Sequence, residues 1–460
     1  MFESYSSALA PHLFFCDVRL KSRYAKMVTG LGLNFGKSIP QSFPKFKEVK
    51  ASYDFFKNKR MKHFMVIDAE RERLLAEISE KKPKVVLAVQ DTTELDFTGK
   101  RSASALGSLN YVNQKGFLAH NHCLFTSEGI GLGVFDQTLW NRPAGTLGTN
   151  KAKRKLRPFE EKESFRWLAQ FDLLQDSFAR CPGTTFVELG DQESDIQELL
   201  QARRHEHVHY ILRSRGDRKL ANGPATVRQA LFEQPVQGCY AIEVKDEASG
   251  KTRKACLEVR FMYAEVNSRH RYKREIAPVK IGLVLVSEID PPAGTKKVEW
   301  ILSTSLPLDS LGDALQIIQW YCLRWKIEVF HYTLKQGCDV EKLQLEEPAA
   351  LEIAIATYSL LAMQVVRLRH LAEKRPDAPL EESGFDKKQY QVAAIFLNAA
   401  KGSHYEVLKP NPTVSDFAKM VAQLGGSSLQ KNKPLGIKAL WRGIRDLTLL
   451  AEAFDAFSSA

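Results

Sequence analysis

At 460 residues the chain is too long for one ordinary hydrophobic core, so two or three domains are expected. A content of 44% hydrophobic and 10% aromatic residues excludes intrinsic disorder, and the 7 scattered cysteines, without a C-x-x-C pair, give no sign of a zinc ribbon or a redox dithiol. The net charge of +12 favours polyanionic partners. With neither a signal-peptide start nor a run of about 18 apolar residues, a cytoplasmic protein without a membrane span is expected.

Residues 1–75 combine a crowd of basic side chains, from Arg19 to Arg60, with spaced apolar ones (Leu20, Tyr24, Met27, Val28, Leu31) and breaks at Pro40 and Pro44. This predicts a small helical DNA-binding domain. From Lys84 the pattern changes. Val85–Val89 is a continuous apolar run of the kind a buried central strand needs, and it ends at Asp91. A polar loop over Thr98–Asn113 precedes two runs, Phe117–Thr126 and Ile130–Leu139, that flank Ser127-Glu128-Gly129 and predict a β-hairpin. A second basic cluster follows at Lys151–Lys155.

The run Thr184–Leu189 predicts another strand, ending in Gly190-Asp191, and Ser194 is placed to cap a helix through about Arg204. His207–Arg213 returns as a strand and opens a third basic stretch, Arg213–Lys219. Helical periodicity disappears over 216–298, where Cys239–Val244, Ala255–Glu265 and Ile281–Val286 predict a β-rich insertion. Trp300–Ser303 resumes the core, and Ser310–Gln336 keeps helical spacing as one long helix. Leu351–Leu371 is apolar nearly all round, which predicts a buried helix, since Glu352, Arg367 and Arg369 argue against a span. A linker at Lys374–Pro379 leads into short amphipathic helices. The predicted organisation is therefore an α/β protein, with a mixed-sheet core over 76–373 and helical domains at 1–75 and 374–460.

Three acids stand out: Asp91, Asp191 and Glu328. Carboxylates at the ends of buried strands sit on a rigid base at the open edge of a sheet, where α/β proteins build sites. Taken singly, each has a bland explanation as a turn, cap or surface acid. The helix around the third acid reads Tyr321-x2-Arg324-x3-Glu328-x6-Lys335, and at about 100° per residue these four fall on one stripe. A solvated charged face would account for the charges but for neither Tyr321 nor the two acids on strands. The functional reading has Asp91, Asp191 and Glu328 holding metal ions while Tyr321, Arg324 and Lys335 bind the phosphates of a DNA end.

Asp91-Thr92-Thr93, the Gly190-Asp191-x-Glu193-x-Asp195-Ile196 segment and the Tyr-Arg-Glu-Lys pattern together resemble the signatures of the insertion-sequence-four family of DDE transposases. Trp300–Ser305, Tyr321–His331 and Leu345–Pro348 resemble its transposon-five-type members most closely. The resemblance implies an RNase H-like core interrupted by the β insertion. It also implies a catalytic triad of Asp91, Asp191 and Glu328 with two Mg²⁺ ions, or Mn²⁺ as substitute. Trp300 matches an aromatic that receives a flipped base, Arg213 joins the DNA contacts, and Lys37 and Ser38 match a stretch that binds transposon ends. The expected partners are double-stranded DNA, as terminal inverted repeats and as target, and a second copy of the chain in a synaptic complex, with the residues from 374 on as the pairing domain.

Overall fold

The structure is a computed structural model that describes residues 1–142, 157–245, 252–267, 277–429 and 434–458. The predicted basic cluster Lys151–Lys155 lies outside the described residues.

Four helices open the chain: α1 (Phe2–Leu9), α2 (Val18–Leu33), α3 (Phe46–Phe56) and α4 (His63–Lys81). The Asp17 carboxylate caps α2 by accepting from the Arg19 N–H, and α2 buries the predicted face of Leu20, Tyr24, Met27, Val28 and Leu31. Next come β1 (Val85–Asp96), β2 (Gly116–Thr126), β3 (Gly131–Trp140), α5 (Phe165–Phe178), β4 (Thr185–Gly190), α6 (Gln197–Leu200) and β5 (Val208–Arg213). The chain continues through α7 (Val227–Glu233), β6 (Gly238–Lys245), β7 (Thr252–Val266), β8 (Val279–Glu288) and β9 (Glu299–Thr304). It closes with α8 (Leu311–Leu323), α9 (Lys326–Tyr332), α10 (Pro348–Lys374), α11 (Lys387–Lys401), α12 (Val414–Leu424) and α13 (Ile437–Ser458). Reciprocal capping boxes start α8 (Ser310 with Asp313), α11 (Asp386 with Gln389) and α12 (Thr413 with Asp416).

The chain divides into two compact units, one of Met1–Lys81, Thr92–Lys151 and Lys326–Ala460, the other of Lys82–Asp91 and Ala152–Trp325. In the second unit the first half of β1 runs parallel to β4, and β4 parallel to β5. Strand β9 joins β5 antiparallel, and β8, β7 and β6 follow antiparallel in turn, so the strands predicted as an insertion extend the same sheet. The first unit holds the β2–β3 hairpin, against which α4 and α10 pack. Helix α10 is long and apolar enough to cross a membrane, yet 89% of its most apolar window is buried, as the predicted core helix requires.

Four details depart from the expectations. Strand β1 does not end at Asp91 but runs to Asp96; what stops at Gln90 is the unbroken run of buried residues, and Leu95 is buried again. The helix expected from Ser194 to Arg204 is one turn, Gln197–Leu200, because the Ser194 N–H and hydroxyl both bind the Asp191 carbonyl instead of capping a helix. The 216–298 segment contains a helix, α7, started by a Thr226–Gln229 capping box. The long helix predicted over Ser310–Gln336 is interrupted at Arg324 and Trp325, and past Tyr332 it widens into a π-helical turn over Thr333–Gly337.

Candidate active site

The second unit brings two of the three acids into register. Val85 lies opposite Thr185 and Val89 opposite Leu189 on neighbouring parallel strands. Asp91 and Asp191 therefore each stand two residues beyond the Val89–Leu189 pair. Buried Val86, Leu87 and Val89 on one strand and Phe186, Val187 and Leu189 on the other anchor them from below. Asp191 begins a tight turn: the Glu193 N–H donates to its Oδ1 at 2.8 Å, and the Ser194 hydroxyl to its carbonyl at 2.6 Å. Gly190 leaves room for this turn, since a Cβ there would lie 2.2 Å from Ser194 Oγ. Four residues on, Asp195 is wholly buried against Arg218 at 2.6 Å and accepts the Arg215 N–H at 2.8 Å, which ties the turn to the chain that follows β5.

Cationic and aromatic groups of the same unit gather beside the acids. Arg324, at the C-terminus of α8, pairs with Asp91 at 3.4 Å. Tyr321, one turn earlier, is buried, and Trp300 from β9 meets it edge-on with ring centroids 5.6 Å apart. Burial pushes the Tyr321 hydroxyl above its ordinary value; Arg324 and Arg213 pull it back, while Asp191 adds to the rise. Arg213, the last residue of β5, thus belongs to the same electrostatic neighbourhood.

Glu328 and Lys335 belong to the first unit. Glu328 lies half-buried in the first turn of α9, between the buried Ile327 and Phe330, and Lys335 sits in the π-helical turn. The single stripe predicted for Tyr321, Arg324, Glu328 and Lys335 is accordingly not the face of one helix. The break separates the first two from the last two, and the wider turn shifts Lys335 further. Lys37 and Ser38 lie between α2 and α3, where Lys37 Nζ donates to Asn34 Oδ1 at 2.9 Å. The Ser38 N–H and hydroxyl both donate to Gln41 Oε1, at 3.1 and 3.0 Å.

Among the described residues no three His, Cys, Asp or Glu side chains close around one point. What the second unit offers is a pair of carboxylates on adjacent strands, all hard oxygen donors. That set fits a small divalent cation such as Mg²⁺, which keeps several waters and takes one or two protein carboxylates plus substrate phosphates. Asp195 lies within the signature read from the sequence, but its pairing with Arg218 was not legible there, nor was a buried polar chain of Asn121, Gln137 and His331 in the first unit. The one available signal was the polar triplet His120-Asn121-His122 inside an otherwise apolar strand.

Two family models match the chain: Transposase DNA-binding over residues 3–61 and Transposase DDE domain over residues 168–364. The first match covers Lys37 and Ser38. The second covers Asp191, Arg213, Trp300, Tyr321, Arg324, Glu328 and Lys335, whereas Asp91 precedes it.

Proposed function

With a transposase DNA-binding domain and a DDE domain, the protein is a DDE transposase, a metal-dependent DNA nuclease and strand transferase, and we propose that it moves DNA by cut and paste, as a member of the insertion-sequence-four family. The N-terminal helices recognise the terminal inverted repeats. Asp91, Asp191 and Glu328 serve as the three acids, and the observation that carries the reading is the in-register placement of Asp91 and Asp191 beside Arg324 and Tyr321. Bound Mg²⁺, two ions per site with Mn²⁺ as substitute, would supply activation of the attacking oxygen and charge stabilisation of the leaving oxygen.

The residues of the chain orient the DNA. Arg324, Tyr321 and Lys335 hold phosphates of the transposon end, and Arg213 adds a further cation at the sheet edge. Trp300 offers a ring on which a base turned out of the duplex can stack. The same displacement at phosphorus, used repeatedly, nicks the end, closes it as a hairpin, reopens it, and joins the 3′ end to target DNA. Two copies of the chain act together on two ends, paired through the helices after residue 374, in the cytoplasm at the bacterial nucleoid.

The test is Asp191→Ala on purified protein with end DNA and Mg²⁺. Cleavage should fall to background while end binding stays at the wild-type level; unchanged cleavage would remove Asp191 from the mechanism. A strand-transfer assay beside it separates a transposase of this kind from a nuclease that cuts without joining, and a covalently closed terminus on the released ends checks the hairpin.

A further inference from the structure

The first unit contains a polar chain within its core that the proposed chemistry does not use. Asn121 on β2 and Gln137 on β3 are register partners, and both are buried, as are Ser359 on α10 and His331 on α9. Gln137 Nε2 donates to Asn121 Oδ1 at 2.6 Å and to Ser359 Oγ at 2.8 Å, while Gln137 Oε1 faces His63 Nε2 at 3.0 Å. The Asn121 amide nitrogen is then the donor left for His331 Nε2, at 3.0 Å, and for the Ala119 carbonyl, at 3.3 Å. The Ala119 carbonyl can only accept, which makes the nitrogen of the Asn121 amide the atom that faces His331; His331 Nε2 is then the acceptor, and the neutral ring carries its proton on Nδ1.

This matters because of where His331 lies. It follows Glu328 by three residues, so the two side chains are neighbours on one face of α9. Helix α9 has 7 residues between a break and a π-helical turn, too few to hold its own rotation. Ile327 and Phe330 bury it, but apolar contacts are non-directional, whereas a hydrogen-bonded ring fixes the angle about the helix axis. A carboxylate roughly 6 Å from that axis moves about 1 Å for every 10° of rotation, a displacement of the order that costs catalysis about 100-fold.

We propose that Asn121 and Gln137 are positioning residues for catalysis, which through His331 set the rotation of α9 and hence the direction of the Glu328 carboxylate. This rests on the reading of Glu328 as a catalytic acid. The experiment uses the full chain with end DNA and Mg²⁺, comparing Asn121→Leu, His331→Leu, His331→Gln and Glu328→Gln. Asn121→Leu and His331→Leu should slow single-turnover cleavage 10- to 100-fold and raise the Mg²⁺ concentration for half-maximal rate, with end-DNA affinity unchanged. In the metal-free protein both should speed amide hydrogen exchange over 326–337. His331→Gln, which keeps an acceptor near the Nε2 position, should recover most of the rate, and the double leucine variant should be no slower than His331→Leu alone. Asn121→Leu cleaving within twofold of wild type at the same Mg²⁺ requirement overturns the proposal, as does a slow His331→Gln that tracks a general loss of end binding and thermal stability. Glu328→Gln separates the two readings: if it cleaves normally, the catalytic assignment of Glu328 fails and the proposal with it. If it is dead while Asn121→Leu is normal, only the positioning role fails.

Discussion

Asp195→Ala removes the carboxylate that neutralises Arg218, whose side chain is only 4% exposed, against 0% for Asp195 itself. Removing one partner of a buried pair typically costs about 3–5 kcal/mol, because the other charge is left without compensation. Arg218 would keep Gln197 Oε1 at 3.0 Å and the backbone carbonyl of residue 195 at 3.2 Å, which points to the lower end of that range. The Arg215 N–H would also lose its acceptor, adding about 1 kcal/mol. A total near 4 kcal/mol corresponds to a fall in melting temperature of roughly 8–16 °C for a unit of this size. The loop that presents Asp191 depends on the same pair, so cleavage should be lost well below the new melting temperature. The check is thermal unfolding of wild type, Asp195→Ala and the double variant Asp195→Leu with Arg218→Met, in which neither charge of the pair remains. The double variant should recover most of the loss. A fall of less than about 3 °C in Asp195→Ala, or a double variant as unstable as the single one, would refute the reasoning.

Three further expectations concern separate parts of the molecule. Burial raises the Glu77 carboxyl, but Arg367, Arg73 and Lys81 outweigh it and bring the value down to about 2. A folded value below the unfolded one means that this stability is complete above about pH 4.5 and is lost as the pH falls toward 2, so Glu77→Gln should flatten the acid limb of a stability-versus-pH curve. At the crossing of α12 and α13, a Cβ on Gly443 would lie 1.7 Å from the Val421 carbonyl oxygen, a backbone atom that cannot swing aside. Gly443→Ala should therefore lower the melting temperature by several degrees and separate these helices in hydrogen exchange, whereas an unchanged melting temperature would show that they can slide apart without cost. Arg324→Ala removes a partly exposed pair with Asp91, worth about 1 kcal/mol or less to the fold. The proposed phosphate contact should make it far more damaging to cleavage than to stability, as parallel cleavage and melting measurements would reveal.

Much of the sheet was legible because buried strands declare themselves as continuous apolar runs. The β2–β3 hairpin, β4, β5 and the three strands of the 216–298 segment all appear within a few residues of the predicted bounds. The second half of β1 escaped notice because its residues are polar and their support is tertiary. Thr92 Oγ1 meets His120 Nδ1 at 2.8 Å, and the Asp96 N–H donates to Glu341 Oε1 at 2.9 Å. Periodicity registers solvent-averaged polarity and is blind to a particular partner. The same blindness hid Asn121 and Gln137, since buried amides that satisfy one another read in sequence as interruptions of a strand.

The break in the helix at Arg324 and Trp325 has a tertiary origin as well. Residues 310–336 contain no proline, and nothing in local propensity separates Leu323 from Lys326, so the spacing predicts an uninterrupted helix. The residues on either side answer to different partners: Arg324 pairs with Asp91 at 3.4 Å, and Lys326 pairs with Glu373 on α10 at 3.7 Å. Those contacts lie in different units of the chain, and the boundary between the units falls between Trp325 and Lys326. A continuous helix would lock the orientation of Arg324 to that of Glu328 at about 100° per residue. At the break, Arg324 answers to the carboxylate it meets and α9 to the buried Ile327 and Phe330 beneath it. The Tyr-Arg-Glu-Lys spacing thus predicts one continuous helical stripe, while the path the chain takes through residues 321–337 is set by contacts that the spacing does not encode.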